Sequence, residues 1–378
     1  MKNLYLTFLL AFSSLLMMSQ PDQVSVGATY ANEAYYSFED SVTADYANTE
    51  WDLGFGLGLN SATIMYNEAV ALSFTAPFPE VEMYLPASTD YSNVDTTGMT
   101  RLYNNELSWD AGALNHVADT PPFDFGWGTY TSNGNRVDGT RIFVMKLRNG
   151  EFKKVSIDSL VNGIYSFKYS NLDGSSEEAY TIDKANYPGK VMVFFDMENG
   201  TIKDLEPTSW DLKFTRYYTK LEVDPTDSIE YMLTGVLTAP GVKVVQVEGI
   251  DPASVGYEQY VSDLTDSTLK VIGHDWKTFT GGGWSIPADR VYFVKTPNNN
   301  LWKLEFIDFT GSSSGVSTFE ATLETTLTSV RDRQTPLSTY KAYPNPATNF
   351  VNVAFEAETF VPQATLMMSN QVGQVVFR

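Results

Sequence analysis

The stretch RIFVMKLRNGEFKKVSIDS, at 141–159, decides the fold because the chain contains it twice. Its second copy is RVYFVKTPNNNLWKLEFIDF at 290–309, and the offset between matching residues is 149 or 150. In each copy, apolar residues alternate with polar ones on both sides of a short Asn-containing turn, a pattern that predicts a β-hairpin with one buried face. For the second copy we expect four residues to point inward (Val291, Phe293, Leu304 and Phe306) and two to meet solvent (Lys295 and Lys303).

Other elements repeat upstream of this hairpin. Trp127–Tyr130 matches Trp276–Phe279, and the motif W-D-L-x-F occurs at Trp51–Phe55 and again at Trp210–Phe214, with an offset of 159. The strand before each motif also corresponds, Tyr35–Glu39 to Met192–Asp196. We expect the Trp, Leu and Phe of the motif to alternate onto the core, and its Asp to be exposed or bonded to a turn. Alternation accounts for every residue of the motif, which favours a structural role over a catalytic one.

Internal repetition therefore sets the architecture. No long segment has the apolar period of an amphipathic helix, and aromatic residues, at 14%, are abundant, which suits pleated sheets. We predict an all-β, mainly antiparallel fold made of two tandem domains, residues 20–178 and 179–325.

The amino terminus has the pattern of an export signal. Lys2 is followed by an almost wholly apolar run, Leu4–Met18, and then by polar residues from Gln20 onward. The run is short for a membrane span, so we predict a cleaved signal peptide, residues 1–19, and a secreted or cell-surface protein without a membrane span when mature. With no Cys in the sequence, a lipidated cysteine, disulfides and thiolate metal sites are excluded.

Charge narrows the range of partners. The formal net charge is −21, and a field of that sign repels phosphate backbones and anionic lipid. Nucleic acid is therefore not expected as a partner.

The carboxyl-terminal residues differ in character from the repeats. Residues 326–340 are polar and are predicted to be a linker. Residues 341–378 begin with Tyr343-Pro344-Asn345-Pro346-Ala347-Thr348-Asn349, followed by alternating apolar residues, and this pattern resembles the first half of the type A C-terminal sorting domain of the type IX secretion system. The resemblance implies the type IX secretion machinery as a partner and export across an outer membrane. It covers a partial, or truncated, sorting domain, because further strands follow in the family.

A second resemblance concerns the repeats. W-D-L-x-F after an F-x-[DE] strand, the segment Ile272–Trp276, the strand R-V-Y-F-V-K-T and a closing K-L-E-F resemble the HmuY family of secreted haem-binding proteins. The match is fuller over roughly 185–325 than over roughly 25–175. It implies a mainly antiparallel fold that takes haem between loops through two axial side chains, and haem or haemoproteins as partners.

The axial ligands that this resemblance requires are few. Met83 and Met99 follow the first W-D-L-x-F hairpin, in the region where the family keeps its ligands, although Met is commonly a core residue. The only histidines, His116 and His274, would have to meet across the two domains. Tyr257 and Tyr260 could bind ferric haem, and an aromatic pair on a sheet is the structural alternative.

Enzyme chemistry has no support in the sequence. Neither His lies near a G-x-S-x-G elbow, and two separated His without Cys do not make a zinc site. Gly281–Gly283 is expected to be a hairpin loop rather than a phosphate loop, since no G-K-[ST] follows. Asp173 and Glu177–Glu178 lack the spacing of a calcium loop. Two functions remain open: a haem-binding or haem-scavenging protein, and a surface binding or adhesive module that keeps the fold without haem.

Overall fold

The structure is a computed structural model that describes residues 21–70, 81–87, 90–92, 94–118, 123–132, 134–224, 227–327, 337–343, 352–357, 368–369 and 375–377. The chain divides into two compact units, with the division between Thr325 and Thr326. The predicted signal peptide lies outside the described residues, as do most of the predicted linker and the Pro-Asn-Pro motif.

The first unit is built from short antiparallel strands. In chain order these are β1 Asp22–Ser25, β2 Asn32–Ser37, β3 Ser41–Ala47, β4 Leu53–Gly56, β5 Ile64–Tyr66, β6 Glu82–Leu85, β7 Thr100–Leu102, β8 Gly128–Thr131, β9 Arg136–Gly139, β10 Ile142–Lys146, β11 Phe152–Val161, β12 Ile164–Asn171, β13 Glu178–Asp183, β14 Met192–Asp196, β15 Thr201–Lys203, β16 Leu212–Asp224, β17 Asp227–Thr238, β18 Lys243–Glu248, β19 Thr278–Phe279, β20 Trp284–Ser285, β21 Arg290–Lys295, β22 Asn300–Phe309 and β23 Val316–Thr326.

The predicted all-β class is confirmed. Helical structure within the described residues is limited to short 3₁₀ turns at Ala28–Tyr30, Ala113–Asn115, Lys184–Asn186, Val261–Asp263 and Gly311–Ser313. None of these turns, nor any other described helix, is long and apolar enough to cross a membrane.

Both copies of the repeated hairpin are present. β10 pairs with β11, with Ile142 opposite Ser156, and β21 pairs with β22, with Tyr292 opposite Leu304. The Asn-containing turn lies between the strands in each copy, as predicted.

One detail of the second hairpin was predicted wrongly. Tyr292 and Val294, not Val291 and Phe293, share the core face with Leu304, because directly paired residues lie on the same side of a sheet. Val291 and Phe293 are nevertheless buried, on the other face. Tyr260 stacks on Phe293 there, with ring centroids 5.7 Å apart. Burial on both faces hides the alternation that would have revealed the register.

The two lysines of that hairpin were also expected in solvent, and both are only partly exposed. Lys303 donates to the Pro252 carbonyl at 3.1 Å and forms an ion pair with Glu324 at 3.6 Å. The chain that covers the outer face of the hairpin thus supplies partners for its charged residues.

Four larger sheets and the two-stranded pair β19-β20 are described in the first unit. A five-stranded sheet has the order β1-β23-β22-β21-β18, and an eight-stranded sheet has the order β13-β12-β11-β10-β6-β7, with β9 paired to β11 and β8 to β9. Two four-stranded sheets, β15-β14-β4-β5 and β17-β16-β2-β3, contain the W-D-L-x-F strands β4 and β16.

Each W-D-L-x-F strand pairs with the leading strand of the other repeat. β4 pairs with β14 and β16 pairs with β2, so the two repeats exchange strands reciprocally. The two ladders have the same register, because adding 159 to the number of each first-repeat residue gives its equivalent in the second repeat. The matching pairs are Leu53↔Phe195 with Leu212↔Tyr36, Gly54↔Phe194 with Lys213↔Tyr35, and Phe55↔Val193 with Phe214↔Ala34. In the leading strands, Tyr36 is therefore the equivalent of Phe195. The alignment predicted from the sequence had matched Phe38 with Phe195 and was shifted by two residues.

The Asp of each motif secures this exchange. The Met197 N–H donates to Asp52 Oδ2 at 2.8 Å, and the equivalent Phe38 N–H donates to Asp211 Oδ2 at 2.9 Å. Both Asp residues are buried, and of the two predicted alternatives, exposure or a bond to a turn, the bond to a turn is present. Burial raises the pKa of Asp52 to about 6, against the opposing effect of Arg148, whose Nη2 lies 3.4 Å from Asp52 Oδ2.

The exchange completes both hydrophobic cores. The first core, which surrounds the eight-stranded sheet, includes Val193, Phe195 and Met197 from the second repeat. The second core, beside the five-stranded sheet, includes Tyr36 and Phe38 from the first repeat. β1 adds to the exchange by pairing with β23. Residues 20–178 and 179–325 therefore share sheets and cores, and neither range encloses a complete core.

A buried ion pair lies at the exchange. Lys213 Nζ is 2.9 Å from Glu33 Oε1, and both side chains are almost fully buried. The Trp51 indole N–H and the Thr215 hydroxyl donate to the same carboxylate at 2.8 and 2.6 Å. Although burial opposes ionisation, Lys213 and these hydrogen bonds hold the pKa of Glu33 below its usual value. A buried carboxylate depends on such partners.

We expect Lys213→Met to destabilise the first unit by about 3–5 kcal/mol, because it leaves Glu33 buried without its cation. Lys220→Met is the matched control, since Lys220 is 72% exposed and its pair with Glu230 spans 3.9 Å; it should change stability by less than about 0.5 kcal/mol. Urea unfolding followed by tryptophan fluorescence and circular dichroism measures both. An equal loss of unfolding free energy in the two variants would contradict a larger contribution of the buried ion pair to stability.

The second unit begins at Thr326. Its described strands are β24 Leu337–Tyr343, β25 Asn352–Ala357, β26 Met368–Ser369 and β27 Val375–Phe377, and they form two antiparallel pairs, β24 with β25 and β26 with β27. Val353 and Phe355, predicted to lie in a strand, are in β25.

Candidate functional site

The methionines predicted as haem ligands do not form a pair. Met83 lies in β6, opposite both Leu102 and Met145, and its side chain is fully buried in the first core. Met99 immediately precedes β7 and is half-buried. Because Leu102 shares a face with Met83, the alternation of β7 assigns position 99 to the opposite face.

The histidines are also separate. His116 follows the 3₁₀ turn Ala113–Asn115 beside the first core, whereas His274 lies between Ile272 and Trp276 beside the second. Partial burial lowers the pKa of His274. Within the part of the chain that the structure describes, no hydrogen bond or ion pair links the two imidazoles.

The remaining predicted sites have structural partners. Tyr260 stacks on Phe293 of β21, and the Tyr260 N–H donates to the Tyr257 carbonyl. Asp173 accepts hydrogen bonds from the backbone and hydroxyl of Ser175, closing a turn. Gly281–Gly283 connects β19 and β20, which confirms the hairpin loop. Among the described residues, no group of three or more His, Asp or Glu side chains is arranged to hold a metal ion.

Two of the cavities are unsuited to a large ligand. One of about 60 Å³ lies between the repeats, beside Glu33 and Lys213, and is too small for haem. Another, of about 540 Å³, is lined by charged groups that pair with one another, such as Arg148, whose Nη2 is 3.1 Å from Asp196 and 3.3 Å from Glu198.

A third cavity, of about 750 Å³, is an open cleft at one end of the first core. Its apolar floor is formed by Leu57, Ala62, Phe125, Val137 and Leu160. Its rim carries Leu59–Ser61 from the β4–β5 loop, Phe123 and Tyr130, Asn135 and Arg136, Asn162 and Gly163, and Asp183–Ala185. We call this feature the open cleft. A volume of this size is typical of ligand pockets.

The β4–β5 loop on the rim is held in place by its carbonyl groups. Lys184 Nζ donates to the Gly58 and Ser61 carbonyls at 2.9 and 2.5 Å. The Tyr165 hydroxyl donates to the Gly56 carbonyl at 3.0 Å. Burial lowers the pKa of Lys184 to about 8. The Lys184 ammonium is hydrogen-bonded to the loop carbonyls and is not a free charge at the rim.

The end of the same loop is fixed from the core. The Trp127 indole N–H donates to the Ala62 carbonyl at 2.7 Å, and Asn115 Nδ2 donates to the same oxygen at 3.1 Å. The Asn115 Oδ1 accepts from the Ile64 N–H at 3.0 Å. A loop bound at so many backbone groups is preorganised, which reduces the entropy lost on ligand binding.

The rim nevertheless exposes apolar side chains. Leu59, at the tip of the fixed loop, is 95% exposed, and Phe123 is 58% exposed. Phe123 is nearly parallel to Tyr130, with an interplanar angle of 13° and ring centroids 6.3 Å apart. Exposed apolar groups held on a rigid frame are typical of binding surfaces.

The polar groups of the rim are mostly uncharged or paired. Arg136 donates to Asp138 at 2.8 Å, and Asp183 accepts from the Ala185 N–H at 2.9 Å. The Tyr130 hydroxyl donates to Asn135 at 2.9 Å. The open cleft therefore offers amides, hydroxyls and apolar surface rather than a strong local charge.

Sequence reasoning did not identify this site. Asn162-Gly163 had a usable signal, because Asn-Gly between two alternating runs predicts a tight hairpin, and both residues have positive φ (52° and 80°). The signal for Leu59 was weaker: it is an apolar residue flanked by Gly58 and Asn60, which are typical of a turn. The convergence of these loops with Phe123 has no local signature.

The second repeat has no matching cleft among the cavities described above. Phe279, the equivalent of Tyr130, is 61% exposed and packs edge-on against Trp284 at 5.5 Å. Lys277, the equivalent of Gly128, is buried under the rings of Trp276 and Phe309, 4.3 and 4.8 Å from their centroids. Burial lowers the pKa of Lys277 to about 7.

A lysine whose pKa falls on folding makes the folded state bind fewer protons, so stability rises with pH. Burying Lys277 in its protonated form lowers the free energy of unfolding. We expect this loss of stability to be complete below pH 7 and to disappear as the pH approaches 10.5, the pKa of lysine in the unfolded chain. Lys277→Met should therefore stabilise the protein by a few kcal/mol at pH 6 and little at pH 10. The figure takes about 1.4 kcal/mol per unit of pKa shift and subtracts the energy of the lost contacts between the ammonium and the aromatic rings. Urea unfolding at both pH values tests this. A pH dependence that is the same in the variant and the wild type would contradict it.

Comparisons with known proteins supply no further assignment, since no protein-family model, no curated protein and no solved structure matches this chain.

Proposed function

We propose that this chain is a secreted or cell-surface HmuY-like binding module that does not use haem and takes its ligand in the open cleft. The observation that carries the proposal is the fixed β4–β5 loop, which exposes Leu59 on the rim of a cleft that also carries the exposed Phe123 and has an apolar floor. Export follows from the signal-like amino terminus and the resemblance of residues 341–378 to a sorting domain of the type IX secretion system. Repeated motifs, W-D-L-x-F above all, support the HmuY-like assignment.

Haem binding is the second candidate, and the geometry favours it less. Its best ligands in sequence, Met83 and Met99, are assigned to opposite faces of the sheet. Moving Met83 to a surface ligand would require opening the first core, where its side chain is fully buried. The open cleft has enough volume for haem, but its lining contains neither His nor Met.

We expect haemin added to the purified protein to give the spectrum of free haemin, with no shifted Soret band. The same result is expected for Met99→Ala and His274→Ala. A sharp, shifted band that either substitution abolishes would overturn the haem-free proposal and favour the second candidate.

The capacity of the open cleft can be tested with 1-anilinonaphthalene, an uncharged fluorescent probe with an apolar body. We expect saturable fluorescence enhancement with the wild type and a loss of about tenfold or more in probe affinity for the double variant Leu59→Asp/Phe123→Asp, which places charge on both exposed groups. The matched control is Ile202→Asp/Phe279→Asp, since Ile202 and Phe279 are also exposed and lie outside the cleft.

Circular dichroism establishes that the variants are folded. Equal loss in the control pair, or no enhancement with the wild type, would contradict a ligand site in the open cleft.

A further inference from the structure

We infer that the ligand of the open cleft is a neutral carbohydrate chain. The inference rests on the proposed function, because it assigns a ligand class to the same cleft. Three observations carry it: the exposed aromatic pair, the amide-rich rim, and the contrast between the lining and the charge of the whole chain.

The aromatic pair suits a sugar ring. A pyranose has an apolar C–H face and a polar edge of hydroxyls, so it packs against the negative face of an aromatic ring while its hydroxyls point sideways. Phe123 and Tyr130 are stacked and partly exposed, so each ring keeps one face that the other ring does not cover. Leu59 adds a further exposed apolar side chain to the lining of the cleft.

The rim suits the hydroxyl edge. Asn60, Asn135 and Asn162 line the cleft, and an amide both donates and accepts, as a sugar hydroxyl does. Asp183 adds one strong acceptor, whereas Arg136 is engaged with Asp138. Because the β4–β5 loop is fixed by Lys184 and Tyr165, the backbone that carries Asn60 is held in place before a ligand arrives.

Charge argues for a neutral ligand. The chain carries −21 overall, which repels polyanions such as acidic polysaccharides or nucleic acid. The charges of the lining are engaged locally, Arg136 with Asp138 and Lys184 with loop carbonyls, so the cleft has no free cationic cluster to capture an anion.

Strand addition by a peptide is less suited to this cleft. A peptide that extends a sheet needs an unpaired strand edge. The lining strands β9 and β11 are each paired on both sides: β9 with β8 and β11, and β11 with β9, β10 and β12 along its length. The cleft therefore presents side chains rather than an open backbone ladder.

Isothermal titration with cellohexaose, xylohexaose, mannohexaose and a hexamer of galacturonate tests the inference. We expect at least one neutral hexasaccharide to bind, the charged hexamer to bind at least about tenfold more weakly, and Phe123→Ala to weaken neutral binding about tenfold or more. Phe279→Ala, which removes an equally exposed ring at the pseudo-equivalent site, should change affinity less than about twofold.

Failure of the inference and failure of the proposed function give different results. If the anilinonaphthalene probe binds the open cleft but none of the neutral hexasaccharides binds at millimolar concentration, the carbohydrate inference is overturned and the cleft remains a ligand site. Preference for the galacturonate hexamer, or binding of a proline-rich decapeptide in place of every sugar, also overturns it. Loss of both probe and sugar binding would remove the proposed function as well.

Discussion

Reciprocal strand exchange is the constraint on which the first unit depends. β4 takes its partner from the second repeat and β16 takes its partner from the first, in ladders with the same register. Each core then includes residues that the other repeat supplies. Folding of one repeat consequently requires the other, although the repeats are related in sequence. Equivalently, the chain between β3 and β16 is an insertion that forms the first core while its flanks form the second.

The two halves of the exchange are alike in backbone and different in chemistry. Both W-D-L-x-F Asp residues accept a backbone N–H from the exchanged strand. Only Asp52 has an arginine partner, and only the β16 ladder has a buried Lys–Glu pair, at Lys213 and Glu33. The backbone pairing is therefore the shared requirement, and the charged groups are local solutions to burial. Divergence of the side chains around a common ladder also explains why one repeat has the open cleft and the other has a buried lysine at the equivalent position.

The open cleft follows from the same arrangement. Its β4–β5 loop begins on an exchanged strand and is tied to Lys184 and Tyr165, which belong to strands and turns far along the sequence. Support from the core keeps the loop ordered while Leu59 remains in solvent. The cleft presents a shaped apolar floor and neutral amide groups at its rim.

The sequence by itself determined the fold class, the repeat and the hairpins, because alternation and turn residues act over short distances. It also identified Trp51, Leu53 and Phe55 as core residues. Tertiary structure decided which strand pairs with the strand that carries them. The leading strands of the two repeats are both short and apolar, so the sequence does not indicate which of them is the partner. The same limit applied to Phe293, buried on a face covered by a distant loop, and to Met83, whose side chain is fully buried in the first core. The open cleft arises only where several loops converge, and the distances between them exist only in the folded chain.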